Sequence, residues 1–409
     1  MEIGYQEKDT ELDTAGLQQS NLIKPQLNET VAKDLVKVLY GMEVIFIKEM
    51  PSYNDRNFFV MVKIEHDNNN TMKKRWPYGY TLKITNSLES RKSHIDAEHK
   101  LQRVLHNHGI PCPQPVPNVL GREKSLQVIY KPNSVDEGWM SKHEEGVDRP
   151  YKEHVVRLLT YIPGEVLLTV PYTPSLFYNA GQMLGKIDHL LKETTFDSST
   201  YADFTSLLKT RVWDLTNTPE TLKKYVHAVA DPQKNALIHE IRSAFQTQVE
   251  PLYYKMTKGI IHGDFNEQNV LVRESNQKDK SEKEYDVCGV LDFQDSTLSY
   301  YIFDVAISVC YLMVECNAID PLDVGGYFLA GYTSYFSLNE TDLDVLKICI
   351  ASRLAMSMVM GAYTSSLDPD NKHILTTQEN GWKKLKIFWP VQKKDLYERW
   401  KNIIASYRK

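Results

Sequence analysis

The segment Ile261-His262-Gly263-Asp264-Phe265-Asn266-Glu267-Gln268-Asn269-Val270-Leu271 sets a carboxylate and an amide five residues apart between two apolar anchors. An Asp at the start of such a loop can accept or orient the proton of a substrate hydroxyl. An Asn five residues on can turn back to ligate a metal ion on a phosphate chain. Asp292, in Val290-Leu291-Asp292-Phe293, follows 28 positions after Asp264 (292 − 264). Its carboxylate and the Asn269 amide are hard oxygen donors of the kind Mg²⁺ prefers. Lys83 interrupts the apolar run Leu82-Lys83-Ile84, where an unpaired ammonium would be costly. A nucleotide phosphate would pair it, steadied by Glu98 on the next helix. Each feature alone has an ordinary reading: a turn, a snorkelling strand lysine, a solvated helix charge. The four in this order and spacing point to phosphoryl transfer.

The elements that must position these residues fall into two parts. Val44 to Ile47, Phe58 to Val62 and Tyr80 to Ile84 read as antiparallel strands, with a polar hairpin loop at His66 to Lys74. Ile95, Glu98, Leu101, Val104 and Leu105 keep helical spacing up to a stop at Gly109. Leu126 to Tyr130 and His154 to Leu159 add two strands around the charged loop Pro132 to Arg149. Beyond Pro163-Gly164 the pattern turns helical, over Leu176 to Leu191, Phe204 to Leu215, Gln233 to Glu250, Tyr301 to Cys316, Thr341 to Tyr363 and Lys394 to Tyr407. The expected organisation is a polar tail over 1–30, a strand-rich lobe over 31–159, a hinge over 160–164 and a helical lobe over 165–409. The fold class is α+β and bilobed, with the site in the cleft.

Composition bounds the function. In 409 residues, 48 Lys and Arg against 53 Asp and Glu give a net charge of −5. There is no basic excess to grip a nucleic acid. Five cysteines, an odd number with no C-x-x-C pair, disfavour a disulfide framework or a closed zinc site and suit a reducing, cytoplasmic setting. No signal-like apolar segment opens the chain, and no run approaches the roughly 20 apolar residues of a membrane span. The expectation is no membrane and no nucleic acid partner, and no pattern sets an oligomeric state.

From Val31 to its end, the sequence resembles the aminoglycoside phosphotransferase and choline-kinase-like superfamily, on His262-Gly263-Asp264 through Asn269 and on Leu291-Asp292-Phe293. Further segments resemble the hydroxylysine kinases within it: Pro51-Ser52-Tyr53-Asn54-Asp55-Arg56-Asn57-Phe58, Val156 to Gly164, Val324-Gly325-Gly326, Tyr300 to Ala306, and Arg353 with Gly381-Trp382. The resemblance implies a protein-kinase-like fold and transfer of the γ-phosphate of GTP, or ATP, to the hydroxyl of 5-hydroxy-L-lysine with Mg²⁺. It assigns Asp264 as catalytic base, Asn269 and Asp292 as metal ligands, and Lys83, steadied by Glu98, as a phosphate contact. Ser52 to Asn57 would lie over the phosphates, Thr160 and Tyr161 would form the hinge beside the base, and Asp304 would brace the catalytic loop. Two departures stand out. The Ser52 to Asn57 loop has no glycine, and Gln294 occupies the third position after Asp292 and Phe293.

An acceptor with two ammonium groups and one carboxylate needs acids and a base. Glu267, Asp295 and Glu315 are the ammonium candidates, Arg353 the carboxylate candidate, and Tyr300 and Tyr301 a wall. Rival readings are a kinase of the same fold for choline, ethanolamine, homoserine or a ketosamine, and a nucleotide-binding pseudokinase module. A protein kinase is disfavoured, since no Ala-Pro-Glu follows Asp292 and helix starts at Tyr301.

Overall fold

The computed structural model describes residues 23–52, 54–63, 75–89, 93–130, 151–206, 211–275, 283–367 and 372–408. The hairpin loop expected at His66 to Lys74 and the charged loop expected at Pro132 to Arg149 lie outside these residues. The N-terminal part opens with α1 (Glu29–Tyr40), capped by the Asn28 side chain on the Val31 amide and closed by Gly41 at φ 61°. The layer reaches further back than the expected tail boundary at residue 30. Ile23 and Leu27 are already buried.

The first sheet is antiparallel. It contains β1 (Val44–Met50), β2 (Arg56–Val62), β3 (Tyr80–Ile84), β4 (Pro115–Val116), β5 (Ser125–Tyr130) and β6 (Tyr151–Thr160). Its order is β1-β2-β3-β6-β4, with β5 also on β6. The alternation expected for strands is visible in β2, where Phe58, Val60 and Val62 face inward. These residues pack with Leu35, Val36, Leu82 and Leu158 into a compact N-terminal core. Lys83 pairs across the sheet with Asn57 on one side and Arg157 on the other. Directly paired residues share a face, so three polar side chains stand in one row.

The helix α2 (His94–Asn107) follows β3. It was expected to belong to the strand-rich lobe alone. Its apolar face, Ala97, Leu101 and Leu105, instead joins the large core of the C-terminal part. Helix α2 therefore ties the two parts together.

After β7 (Glu165–Val166) come α3 (Pro174–Glu193), α4 (Ser198–Thr205), α5 (Thr218–Tyr225) and α6 (Pro232–Gln248). Among the described residues, the helix expected over Phe204 to Leu215 is confined to its start: α4 ends at Thr205, and 212–214 turn before a short 3₁₀ segment at Leu215–Asn217. The Asp214 side chain caps the Thr216 amide and starts that segment. Two small antiparallel sheets follow, β8 (Lys258–Ile261) paired with β11 (Thr297–Tyr300), and β9 (Val270–Glu274) paired with β10 (Tyr285–Val290), with β7 added to β9. They hold the catalytic-loop segment between them.

The remainder is helical: α7 (Tyr301–Glu315), α8 (Pro321–Tyr332), α9 (Glu340–Leu367), α10 (Lys372–Phe388) and α11 (Lys393–Tyr407). Helix α9 is long and apolar enough to cross a membrane by length and composition, contrary to the reading of the sequence. It is a core helix, with 78% of its apolar window buried inside the protein. Helix α8 lies against α3 through Gly181, Gly185 and Gly331. A Cβ on Gly331 would fall 1.9 Å from the Tyr178 carbonyl oxygen, so only hydrogen fits at this crossing.

Candidate active site

The catalytic loop is fixed from below. Asp304, fully buried in the first turn of α7, accepts the amide hydrogens of His262 (2.7 Å) and Gly263 (2.8 Å). Gly263 has φ 81°, and a Cβ there would meet the Asp295 carbonyl oxygen at 2.2 Å. Only glycine permits this turn. The His262 ring is buried. Its Nε2 donates to the Leu291 carbonyl oxygen (2.9 Å), while Nδ1 accepts the Asp264 amide (3.2 Å). That pattern requires a neutral imidazole protonated on Nε2. The histidine thus ties Asp264 to the strand end that carries Asp292.

Asp264 is held at both carboxylate oxygens. Oδ2 accepts the Asn269 amide nitrogen (3.0 Å), and Oδ1 pairs with Arg353 (3.2 Å). The Arg353 guanidinium also donates to the Tyr311 hydroxyl (3.2 Å) and the Trp213 carbonyl oxygen (2.5 Å), and it lies over both aromatic rings. Arg353, expected from the sequence as the carboxylate-binding residue, is engaged through one donor each by Asp264, Tyr311 and the Trp213 carbonyl oxygen, and so positions Asp264. A quarter of the Asp264 side chain remains open to solvent. Burial raises its carboxyl well above the usual range, opposed by Arg353 and reinforced by Asp295 and Asp292. Such a carboxyl is poised to take a proton.

Asp292 has φ 53°, the left-handed value found among the described non-glycine residues at this position only. The backbone freedom expected from a glycine two positions on is supplied by this residue itself. Its side chain is half exposed and pairs with Lys83 (3.3 Å). Burial works against its charge, but Lys83 and then Arg157 outweigh it and hold the carboxyl below its ordinary value. Asn269 spends its amide nitrogen on Asp264, also through the Asp264 carbonyl oxygen (2.9 Å), so its amide oxygen is the atom with which it could ligate a metal. Among the described residues, no three His, Cys, Asp or Glu gather as a metal cluster. One carboxylate and one amide suit a cation that keeps water and phosphate oxygens as its other ligands, as Mg²⁺ does.

Glu98 does not touch Lys83. It pairs instead with Arg157 (2.7 Å), both side chains being almost fully buried. Lys83 is held by Asp292, by Asp55 (3.4 Å) and by the Gln294 side-chain oxygen (3.0 Å). Arg157, Asp55 and Gln294 were not singled out from the sequence as site residues. A buried arginine in a strand with a helix glutamate nearby was the one signal available for the first.

Other expected contacts are also redirected. The Ser52 hydroxyl closes its own turn on the Asp55 carbonyl oxygen (2.5 Å). Asn57, on the row with Lys83, has a buried Oδ1 with no hydrogen-bond partner. The backbones of Thr160 and Tyr161, expected beside the base, are engaged internally with Gln114, Gly79 and Trp76. Asp295 pairs with Arg211 (3.3 Å). Tyr300 stacks on Tyr253 at 4.9 Å, and Tyr301 is buried against Phe336, so Tyr301 is core rather than wall. Glu267 is buried, and its Oε2 has no hydrogen-bond partner. Burial and then Glu315 push its carboxyl up to about 7. A shallow cleft runs past Arg211, Trp213, Asp214, Gly263, Asp295 and Ser299.

Residues 61–339 match the family model of the phosphotransferase enzyme family. The chain belongs to that family. It is a small-molecule kinase, transferring phosphate to an alcohol group. Relatives similar over nearly their whole length are a hydroxylysine kinase of Xenopus laevis, 33% identical over 393 residues (94% of this chain, 96% of that protein), and one of Bos taurus, 30% identical over 398 residues (96% and 97%). Among solved structures, the fold is similar to a microcompartment-associated aminopropanol kinase (TM-score 0.58, 14% identity, 88% of this chain and 95% of that one). It is similar as well to the amicoumacin kinase hAmiN in complex with AMP-PNP, Ca²⁺ and Ami (TM-score 0.56, 15% identity, 93% of each chain). The expected α+β kinase-like fold, and the family seen in the catalytic-loop and Asp292 motifs, are therefore both found.

Proposed function

We propose that this member of the family transfers the γ-phosphate of GTP to the side-chain hydroxyl of 5-hydroxy-L-lysine, giving 5-phosphohydroxy-L-lysine and GDP. The observation that carries the reading is the Asp264 carboxylate, clamped by Arg353 and Asn269, partly open, and within electrostatic reach of Asp292, which itself pairs with Lys83. The near full-length similarity to hydroxylysine kinases supports the choice of acceptor.

In-line phosphoryl transfer asks the protein for alignment and charge neutralisation. Asp264 orients the acceptor hydroxyl and takes its proton. Asn269 and Asp292 would hold Mg²⁺, which when bound offsets charge on the phosphates. Lys83 contacts the phosphates, beneath the Ser52 to Asn57 loop, with the base at the 160–164 hinge. The acceptor would occupy the cleft beside Gly263, where Arg211 suits its carboxylate and Asp214 and Asp295 suit an ammonium. Five free cysteines, four of them buried, support a reducing compartment such as the cytoplasm.

The test is nucleoside diphosphate release with Mg²⁺, GTP and ATP being offered separately. The acceptor panel is 5-hydroxy-L-lysine, lysine, homoserine, choline and ethanolamine. Release with GTP and hydroxylysine but not lysine, lost in Asp264→Asn, is expected, because lysine lacks only the acceptor hydroxyl. Turnover with another acceptor would overturn the substrate assignment while leaving the chemistry.

A further inference from the structure

The phosphate-facing lysine and the helix glutamate, paired in the expected arrangement, are separated here. Glu98 is occupied by Arg157 at 2.7 Å, in a pair whose two side chains are 0% and 3% exposed. Lys83 has a different buried carboxylate, Asp55 at 3.4 Å, with side chains 9% and 8% exposed. Asp55 is itself held rigidly. Its Oδ1 accepts both the backbone amide (2.9 Å) and the side-chain amide (3.0 Å) of Asn86, just beyond β3, and its carbonyl oxygen accepts the Ser52 hydroxyl. One carboxylate oxygen therefore fixes the turn between β1 and β2 to the end of β3, and the other faces Lys83.

We propose that Asp55 is the positioning residue for Lys83, and that it takes over from Glu98 the task of aiming the ammonium at the nucleotide phosphates. This rests on the phosphotransfer reading. The physical reason lies in the row Asn57, Lys83, Arg157 across the sheet. Arg157 and Lys83 are like charges on neighbouring strands of one face. Glu98 neutralises the first, and Asp55 and Asp292 hold the second. The consequence is a change of lever. In this protein Lys83 is coupled to the turn that lies over the phosphates, and helix α2 is coupled to Arg157.

The experiment compares Asp55→Asn with Glu98→Gln in the full chain. The readouts are the Kd of non-hydrolysable GTP and ATP analogues with Mg²⁺, and thermal unfolding without ligand. Asn at 55 keeps an oxygen for Asn86 and replaces the charged acceptor toward Lys83 with an amide N–H donor. Asp55→Asn is expected to weaken analogue binding about tenfold, the usual scale for losing one charge-assisted contact, with unfolding little changed. Glu98→Gln is expected to lower the unfolding temperature and leave the Kd of the folded protein within about threefold. In a Lys83→Gln background, Asp55→Asn should cause no further loss, which a merely structural role would not produce. Unchanged or tighter binding by Asp55→Asn would overturn the proposal, since the carboxylate would then be idle or in competition with the phosphates. Failure of the unsubstituted protein to bind either analogue would overturn the phosphotransfer reading itself, and this inference with it.

Discussion

Two buried arginines each hold one carboxylate, Arg157 on Glu98 in the strand-rich part and Arg353 on Asp264 in the helical part. The chemistry of the pairs is the same and their surroundings are not. Glu98 is 3% exposed and donates its charge to the scaffold. Asp264 is 25% exposed, at a longer distance (3.2 against 2.7 Å), and still has an accessible edge. A sealed ion pair can only support structure, while one with an open carboxylate can act on a substrate. Arg353 also makes two further hydrogen bonds, while Arg157 has buried Nε and Nη2 atoms without partners. The Arg353–Asp264 pair is thus the better-anchored of the two, as the proposed catalytic role, with positioning within a fraction of an ångström, requires.

Breaking each pair should separate the roles. The largest effect is expected for Asp264→Asn, with kcat down by about 10³-fold and nucleotide affinity nearly unchanged in single-turnover and binding measurements. Its stability should not fall. The raised carboxyl means that ionisation above the ordinary aspartate range is a cost to the folded state, which Asn removes. A collapse of stability instead would make Asp264 a scaffold residue like Glu98. Glu98→Gln should do the reverse, losing on the order of 3–5 kcal/mol in denaturant unfolding because a fully buried guanidinium is left without its carboxylate.

A smaller loss, about tenfold in kcat with KM for nucleotide preserved, is expected for Arg353→Lys. A lysine cannot reach Tyr311, Trp213 and Asp264 together. Steady-state kinetics showing wild-type kcat would remove Arg353 from the positioning of Asp264.

The smallest effect sharpens the contrast with a carboxylate that faces no arginine. Asp188 is buried, accepts the Tyr332 hydroxyl at 2.7 Å, and lies near Asp304. Burial and then Asp304 raise it well above its ordinary value of 3.8. A carboxyl raised on folding costs stability once the unfolded chain ionises, so the penalty grows as pH rises from near 3.8 toward the folded value. Asp188→Asn should therefore be more stable than the parent by about 1 kcal/mol at neutral pH, with the gap closing toward pH 4. Unfolding curves at several pH values that ran in parallel would contradict this.

The sequence by itself determined the chemistry and the class of fold. Asp264, Asn269 and Asp292 were legible because their spacing is local, set by one loop and one hairpin, while the brace from Asp304 came only from the family resemblance. The strands and most helices were legible because period-2 and period-3.6 burial is written in the chain, as in β2 and α3. The 3₁₀ start at Leu215 was missed because Asp214, a capping residue, competes with an apolar helical pattern. Only the tertiary structure decided which charge meets which. Lys83 meets Asp55, 28 residues earlier (83 − 55), and Asp292, 209 residues later (292 − 83), while Glu98 goes to Arg157 and Asp264 to Arg353. A charged residue has no periodicity that names its partner. The partner is whichever opposite charge the packed strands and helices bring within reach in a place where water cannot substitute for it.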